Sequence, residues 1–539
     1  MTHDVARADA RTHLRTPGTR LRRTTALLAA AALSLTLAAC GGSDSPDAKP
    51  TSTQATNETL NVVSDFINDT FPNPARDYVE ISYGNAEMLL RPRLGDPDPW
   101  LAKSVEQRSD TVWRITLNPG ITFQNGRTLD SAALKEWFEY EFINDEAAKG
   151  SLGDPTAVTI VDDLTVDITT PKLFTPFKNS LSNYIFAVYD AAAVKKVGKK
   201  YETLAGAGIF TGPYAYQSSS AGSVKYVRYD GYWQGKPALA GIDARKVLDQ
   251  NAGMKAVVNG EADLMLVPAV KIKRASRHEH SVKYLVSDES VVYAAFNINP
   301  AKAPFTDTAV RQAFAAAIDS DPISTTVMDG VWRPLSGIFP TGTSFGVDWR
   351  TYDPDHAMHL LDQAGWTAGS DGIRSKNGAK LSVEIVTYTD DLEAVGNAAL
   401  DMLRKVGFDA KLRRVPDYSP IPKLLKNPGS VNVNLLNLES FGLDGNPYAT
   451  VCRNFEYDKG YNDVVRDDEL NTLCQKLLAT TDTANRDTQF KELQRLNGER
   501  VYYVPIVDEP TTMLVQSKYG HLKVDSFYLF LDWQTRPQE

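Results

Sequence analysis

The residues that could do chemistry are few and scattered. His278-Glu279-His280 combines metal-ligand types, but Lys271, Lys273, Arg274 and Arg277 precede it, and the stretch reads as a basic surface turn. His356 and His359 are three apart on a predicted helix, a possible ligand pair, and are expected to be surface residues. There is no H-E-x-x-H and no G-x-x-x-x-G-K-S/T phosphate loop. Gly206-Ala207-Gly208 starts like a dinucleotide loop but fails at the third glycine. A hydrolase would need a nucleophile with its base, or a metal with an open site. The chain is therefore read as non-catalytic, with no cofactor and no metal site. Asp444 precedes Gly445 within Leu438-Glu439-Ser440-Phe441-Gly442-Leu443-Asp444-Gly445-Asn446-Pro447. A fixed carboxylate held out of water can take an ammonium group, and such charge-assisted bonds are roughly twice as strong as neutral ones. The bland alternative is a solvated Asp-Gly turn.

The cysteines carry the rest of the chemistry. Cys40 ends an uncharged, mostly apolar run at 26–39, preceded by Arg11, Arg15, Arg20, Arg22 and Arg23. That run, about 14 residues, falls short of the roughly 20 needed to span a bilayer. A charged start, a short apolar stretch and small residues before a cut site mark a secretory signal. Leu37-Ala38-Ala39-Cys40-Gly41 resembles the bacterial lipobox, in which the cysteine is acylated and becomes the first mature residue. Thr24-Thr25-Ala26 after Arg22-Arg23 fits a twin-arginine signal poorly, so general secretion is expected. Residues 41–58 hold no large apolar side chain and are expected to be a flexible leash. The expected location is the extracytoplasmic face of the cell membrane, held there by lipid. Cys452 and Cys474 are the remaining pair, and in an exported chain they are expected to form one disulfide.

Losing the first 39 of 539 residues removes six Arg together with Asp4 and Asp9, which takes the net charge from −9 to −13. An acidic body argues against a nucleic-acid partner. The 500 remaining residues exceed what one hydrophobic core supports, so two or more domains are expected.

The elements that must position these residues alternate. Residues 60–63, 111–117, 165–168 and 224–228 read as strands, and 129–142 as a helix starting at Asp130. Val310, Phe314, Ala317 and Ile318 form a helical stripe. Asp353-Pro354 opens a helix that Gly365 is placed to end. Leu381, Val383 and Ile385 alternate as a strand, followed by a helix over 392–406 and a strand from Asp409. This rhythm predicts α/β lobes.

Eight segments in order then resemble the solute-binding proteins of peptide and nickel ABC importers. They are Trp100-Leu101-Ala102-Lys103-Ser104; the block from Trp113 to Gly126; Thr211-Gly212-Pro213-Tyr214; Tyr232-Trp233; Gly260-Glu261-Ala262-Asp263; Asn297 with Ala303-Pro304-Phe305-Thr306-Asp307; Val310-Arg311-Gln312-Ala313-Phe314; and Tyr352-Asp353-Pro354 through Ala364-Gly365-Trp366. The likeness covers about 99–533.

The resemblance implies a two-lobed α/β fold of the periplasmic-binding-protein kind (type II, enlarged peptide-binding subclass) with a ligand cleft between lobes. It implies a first lobe at 60–296 with an inserted subdomain near 86–205, a second lobe at 297–504, and a return over 505–539, after a signal at 1–39 and a lipidated linker at 40–59. Asn297 would lie on the outgoing crossing strand and Val504-Pro505-Ile506 near the return. Asp444 would pair with a peptide ammonium, with Phe441 where the family carries Trp; Tyr83 and Asn85 would lie near the cleft. The expected role is capture of dipeptides or oligopeptides for membrane permease subunits, by a monomer. The alternatives are a nickel or other metal chelate, an opine, a small sugar, or a sensor lipoprotein of this fold. In nickel-type members a His precedes the Asp444 region and arginines grip the chelate. Here Leu438 holds the His position and no Arg occurs between Arg127 and Arg228.

Overall fold

The computed structural model describes residues 55–64, 67, 74, 78–93, 96–198, 200–266, 280–288, 290, 292–339, 344–427, 429–439, 452, 465–524 and 529–538. Cys40, Phe441 and Asp444 lie outside them.

Two sheets organise the body. The first has seven strands in the order Tyr214–Ser220, Ser223–Arg228, Gly241–Lys246, Thr59–Ser64, Leu264–Leu266, Thr512–Gln516, Val282–Val286. The second has six, in the order Arg333–Pro334, Tyr503–Asp508, Val292–Ile298, Val433–Glu439, Ser382–Thr387, Asp409–Arg414. Each mixes parallel with antiparallel pairs: Thr59–Ser64 runs parallel to Gly241–Lys246, and Ser382–Thr387 parallel to Asp409–Arg414. The chain passes from one sheet to the other between Val286 and Val292 and returns between Asp508 and Thr512. Strand Val292–Ile298 belongs wholly to the six-stranded sheet, because all of it pairs with Val433–Glu439 and Tyr293 to Asn297 pair with Tyr503–Asp508, and Tyr293 to Ile298 are buried. The change of sheet therefore falls a few residues before 297, and on the return a few after 504.

Local sequence explains the helices. Asp130 Oδ1 accepts from the Ala133 amide at 2.8 Å and starts helix Ser131–Asn144. Asp353 Oδ1 accepts from the His356 amide at 2.8 Å, Pro354 takes the first turn, and Gly365 at φ +82° follows helix Pro354–Gln363. Thr389 caps helix Asp390–Lys405, which buries Leu392, Val395, Ala399, Leu400 and Leu403 at helical spacing. Phe314, on helix Thr308–Ala316, meets Phe296, Phe305 and Phe408 edge-on at 5.4, 5.4 and 6.1 Å. These rings help form the second lobe's core.

An inserted layer of four strands, Ala102–Ser109, Val112–Leu117, Thr165–Thr169 and Ala157–Asp162, packs on helix Ser131–Asn144. Trp113 is buried there, stacked on Phe177 at 5.1 Å. The Thr211-Gly212-Pro213 turn ties this layer to the seven-stranded sheet. A Cβ on Gly212 would stand 2.3 Å from the Gly84 carbonyl oxygen, so only glycine allows that approach. Among the described residues no helix is long and apolar enough to cross a membrane.

Candidate functional site

The two crossings are clipped to each other. Ser287 N donates to Thr511 O at 2.9 Å, Thr511 N to Ser287 Oγ at 3.0 Å, and Glu509 N to Val292 O at 2.8 Å. Ser290 Oγ lies 2.6 Å from Glu509 O and 2.7 Å from Val292 O. A pair of short, mutually bonded crossings confines rotation between lobes to a few backbone dihedrals, which is the geometry of a hinge.

Two arginines brace this hinge. Arg333 Nη2 meets Asp508 Oδ2 at 2.5 Å, and Arg333 Nη1 reaches Asp288 O at 3.4 Å. Asp508 is buried, and that burial outweighs the Ser290 and Arg333 contacts, holding its carboxyl above the usual carboxylate range. Arg350 is also buried. It donates to Ile318 O at 2.5 Å, Ser320 Oγ at 2.5 Å, Leu335 O at 2.7 Å and Pro505 O at 3.2 Å. With none of these four acceptors a carboxylate, burial brings its pKa down to about 10.

Asn297 stands opposite Asn434 on one side and Tyr503 on the other. Asn297 Nδ2 and Asn434 Oδ1 are buried without a protein partner. Across the hinge, Tyr284 on strand Val282–Val286 carries a buried hydroxyl that also lacks one. Burial, then Asp329 and Asp391 of the other lobe, push that phenol upward. Buried polar atoms without partners are costly until a polar group completes them. The arrangement suits holding a polar guest and has no nucleophile–base pair within it.

The sequence-predicted residues fall in different places. Tyr83 is buried beside the seven-stranded sheet, its ring 5.7 Å from that of Tyr226. Asn85 is 1% exposed, donates from Nδ2 to Glu80 Oε2 at 2.5 Å, and accepts at Oδ1 from Gln124 Nε2 at 3.1 Å. Those bonds hold the turn after helix Tyr78–Ser82. Asn297 belongs to the other sheet. Cys452 and Cys474 face each other with sulfurs 2.06 Å and Cα atoms 5.3 Å apart. His278 lies outside the described residues; His356 and His359 are exposed, with His359 Nε2 2.9 Å from Gln363 Nε2. Sequence reasoning passed over Gly342-Thr343-Ser344-Phe345-Gly346, which has the letters of a G-x-S-x-G elbow. That motif needs a strand running into a helix. Neither strand nor helix occurs over 344–353, and Phe345 is buried against Phe339 and Phe490. Arg333, Asp508, Tyr284 and Asn434 were missed as well, because only strand pairing brings them to the hinge.

Residues 96–442 match the model of bacterial extracellular solute-binding proteins, family 5. The chain belongs to that family. The glutathione-binding protein of Pectobacterium atrosepticum is 29% identical over 279 residues, 50% of this chain and 53% of that relative. The chain thus spans about half the length of that relative. The nickel-binding periplasmic protein of Escherichia coli is 27% identical over 454 residues, 79% of this chain and 83% of that protein. The oligopeptide-binding protein of Bacillus subtilis, solved with a nonapeptide, superposes with a TM-score of 0.71 at 18% identity, covering 89% of this chain and 99% of that one. That likeness shows the same two-lobed fold.

Proposed function

We propose that this family 5 chain is the extracytoplasmic binding component of an ABC importer, capturing dipeptides or oligopeptides between its lobes and presenting them to permease subunits. The observation that carries the binding role is the clipped double crossing between two sheets. A hinge of this kind converts ligand contact into closure. No bond is made or broken in this role, and no catalytic residue is assigned.

The peptide reading rests on Asp444 and Phe441, on the glutathione-binding relative, and on the peptide-bound neighbour of the same fold. Asp444 takes the ammonium end; Asn297, with Asn434, offers a donor and an acceptor that suit amide groups. Tyr83 and Asn85 hold the turn beside the first sheet through Tyr226, Glu80 and Gln124. The Cys452–Cys474 disulfide anchors the segment that begins eight residues after Asp444. Cys40 carries lipid, and 41–58 are the leash that keeps the cleft near its permease and raises effective concentration. The lobes are 60–286 with 512–539, and 292–508, joined at the crossings.

One observation favours a second reading. The match to the nickel-binding relative covers 79% of this chain, against 50% for the glutathione-binding one. A metal chelate is therefore the competing ligand. Native mass spectrometry of gently purified protein identifies what it carries. A panel of di- to nonapeptides and of nickel–histidine complexes in a thermal-shift assay then separates the two. Ligand at 100 times its dissociation constant adds about 2.7 kcal/mol. A shift with nickel–histidine and none with peptides overturns the first reading. Cys40→Ser is expected to release the protein or leave it unprocessed, with affinity of the purified body unchanged; a loss of affinity would show that the anchor and the cleft are not independent.

A further inference from the structure

Leu478 closes helix Asp468–Leu478, and its carbonyl is one of those a helix end leaves without an internal donor. Its donors come from far away in the chain: the Thr175 amide and the Thr175 hydroxyl, both 3.1 Å from Leu478 O. Beside them Lys172 Nζ lies 3.3 Å from Gln475 Oε1. Phe174 is buried in the same apolar cluster as Cys474, Leu477, Leu478 and Phe490. Gly153 makes room for it, since a Cβ there would come within 2.5 Å of the Phe174 ring.

The two sides of this contact belong to different lobes. Residues 170–177 follow strand Thr165–Thr169 of the inserted layer, which the chain enters and leaves between strands Thr59–Ser64 and Tyr214–Ser220 of the seven-stranded sheet. Helix Asp468–Leu478 is reached only after the first crossing, between strands Val433–Glu439 and Tyr503–Asp508 of the six-stranded sheet. Among the described residues the chain joins the lobes at the crossings, 287–291 and 509–511, so the contact is a second, non-covalent junction.

We propose that the 170–177 strap is a closure latch: from the first lobe it caps the C-terminus of helix Asp468–Leu478 in the second, and it lets go when the lobes part. Release exposes the Leu478 carbonyl and the Thr175 donors to water, which satisfies them nearly as well. Each such bond therefore biases closure by only about five-fold. Parting the two sides also opens the apolar cluster that they share, which contains Phe174, and water does not replace those contacts. A latch of this strength favours the closed form yet opens on its own, as a capture cycle requires. Cys474 lies one turn before Leu478, so the Cys452 pairing joins the latch helix to the segment that follows Asp444. The proposal rests on the two-lobed fold and not on the ligand's identity.

Hydrogen exchange of the purified, ligand-free protein tests it, with the peptide covering 172–177 compared with the core strand Thr165–Thr169, alongside the radius of gyration from X-ray scattering. The latch peptide is expected to exchange by an opening that leaves the core strand protected. Thr175→Val, which removes only the hydroxyl donor, is expected to speed that exchange about five-fold. Phe174→Leu is expected to speed it further and to raise the radius of gyration. Exchange of 172–177 only together with the core strand would overturn the proposal, as would variants that fold normally and leave both exchange and radius unchanged. A failure of either kind leaves the peptide-against-chelate question where the thermal-shift panel puts it.

Discussion

Arg350→Met should loosen the second-lobe strands that carry Arg333 and Asp508 far more than it loosens the rest of that lobe. The guanidinium binds four oxygens from three parts of the chain: Ile318 and Ser320, Leu335, and Pro505. Leu335 follows the strand that carries Arg333, and Pro505 lies three residues before Asp508, so Arg350 fixes the base on which the Arg333–Asp508 pair stands. Leaving a buried acceptor without its donor costs about 1–3 kcal/mol. Removing a buried cation returns part of that, since burial already disfavours the charged form. A net loss of about 3 kcal/mol follows for the local structure, equivalent to exchange more than a hundredfold faster at roughly 1.4 kcal/mol per decade. The assay is hydrogen exchange on peptides covering 503–508 and 333–339, with helix Asp390–Lys405 as the internal reference. Arg350→Lys should recover part of the protection, because an ammonium has three donors and lacks the planar fork. Faster exchange in the reference helix by the same factor would mean global destabilisation. A change under threefold at 503–508 would refute the claim that these four bonds hold the strand that carries Asp508.

Asp444→Ala is expected to abolish binding of any peptide that shifts the wild-type melting point while leaving the unliganded melting point in place; unchanged affinity by calorimetry would remove Asp444 from the site. Thiol titration of denatured, unreduced mature protein should find no reactive thiol from Cys452 or Cys474, and reduction should cost about 3 kcal/mol, the range for closing a loop of about 22 residues. Two reactive thiols under those conditions would sink the pairing. Asp508 gives a pH signature. Its folded-state pKa is raised, so its contribution to stability is fully present below the unfolded value near 3.9 and is lost as pH rises through the folded value. The urea midpoint of the wild type minus that of Asp508→Asn should therefore fall between pH 4 and pH 7; a difference that grows with pH would show that Arg333 outweighs burial.

Much of the framework could be read from residue order because it is decided locally. Asp130, Asp307, Asp353 and Thr389 each cap the helix that begins next to them, and Gly365 and Gly407 take positive φ where helices stop. Periodicity placed Phe314 on a buried stripe, but that it meets three other phenylalanines is a property of packing. The candidate site is less legible for the same reason. The resemblance sets Asn297 on the outgoing crossing strand, but its strand lies wholly in the second sheet, and its neighbours Asn434 and Tyr503 lie 137 and 206 positions on and are set by strand register. Asn85 shows the reverse case: with Tyr83 it is expected near the cleft, but Glu80 five residues before it and Gln124 across the turn already bond its amide. A polar side chain in a cleft-forming segment is thus weak evidence of ligand contact until its own partners are known. Asn297 Nδ2 and Asn434 Oδ1 differ in that respect, being buried with a bond still unmade. That asymmetry shifts weight from the early segment at 83–85 to the strands of the second lobe as the place where a polar guest would be held.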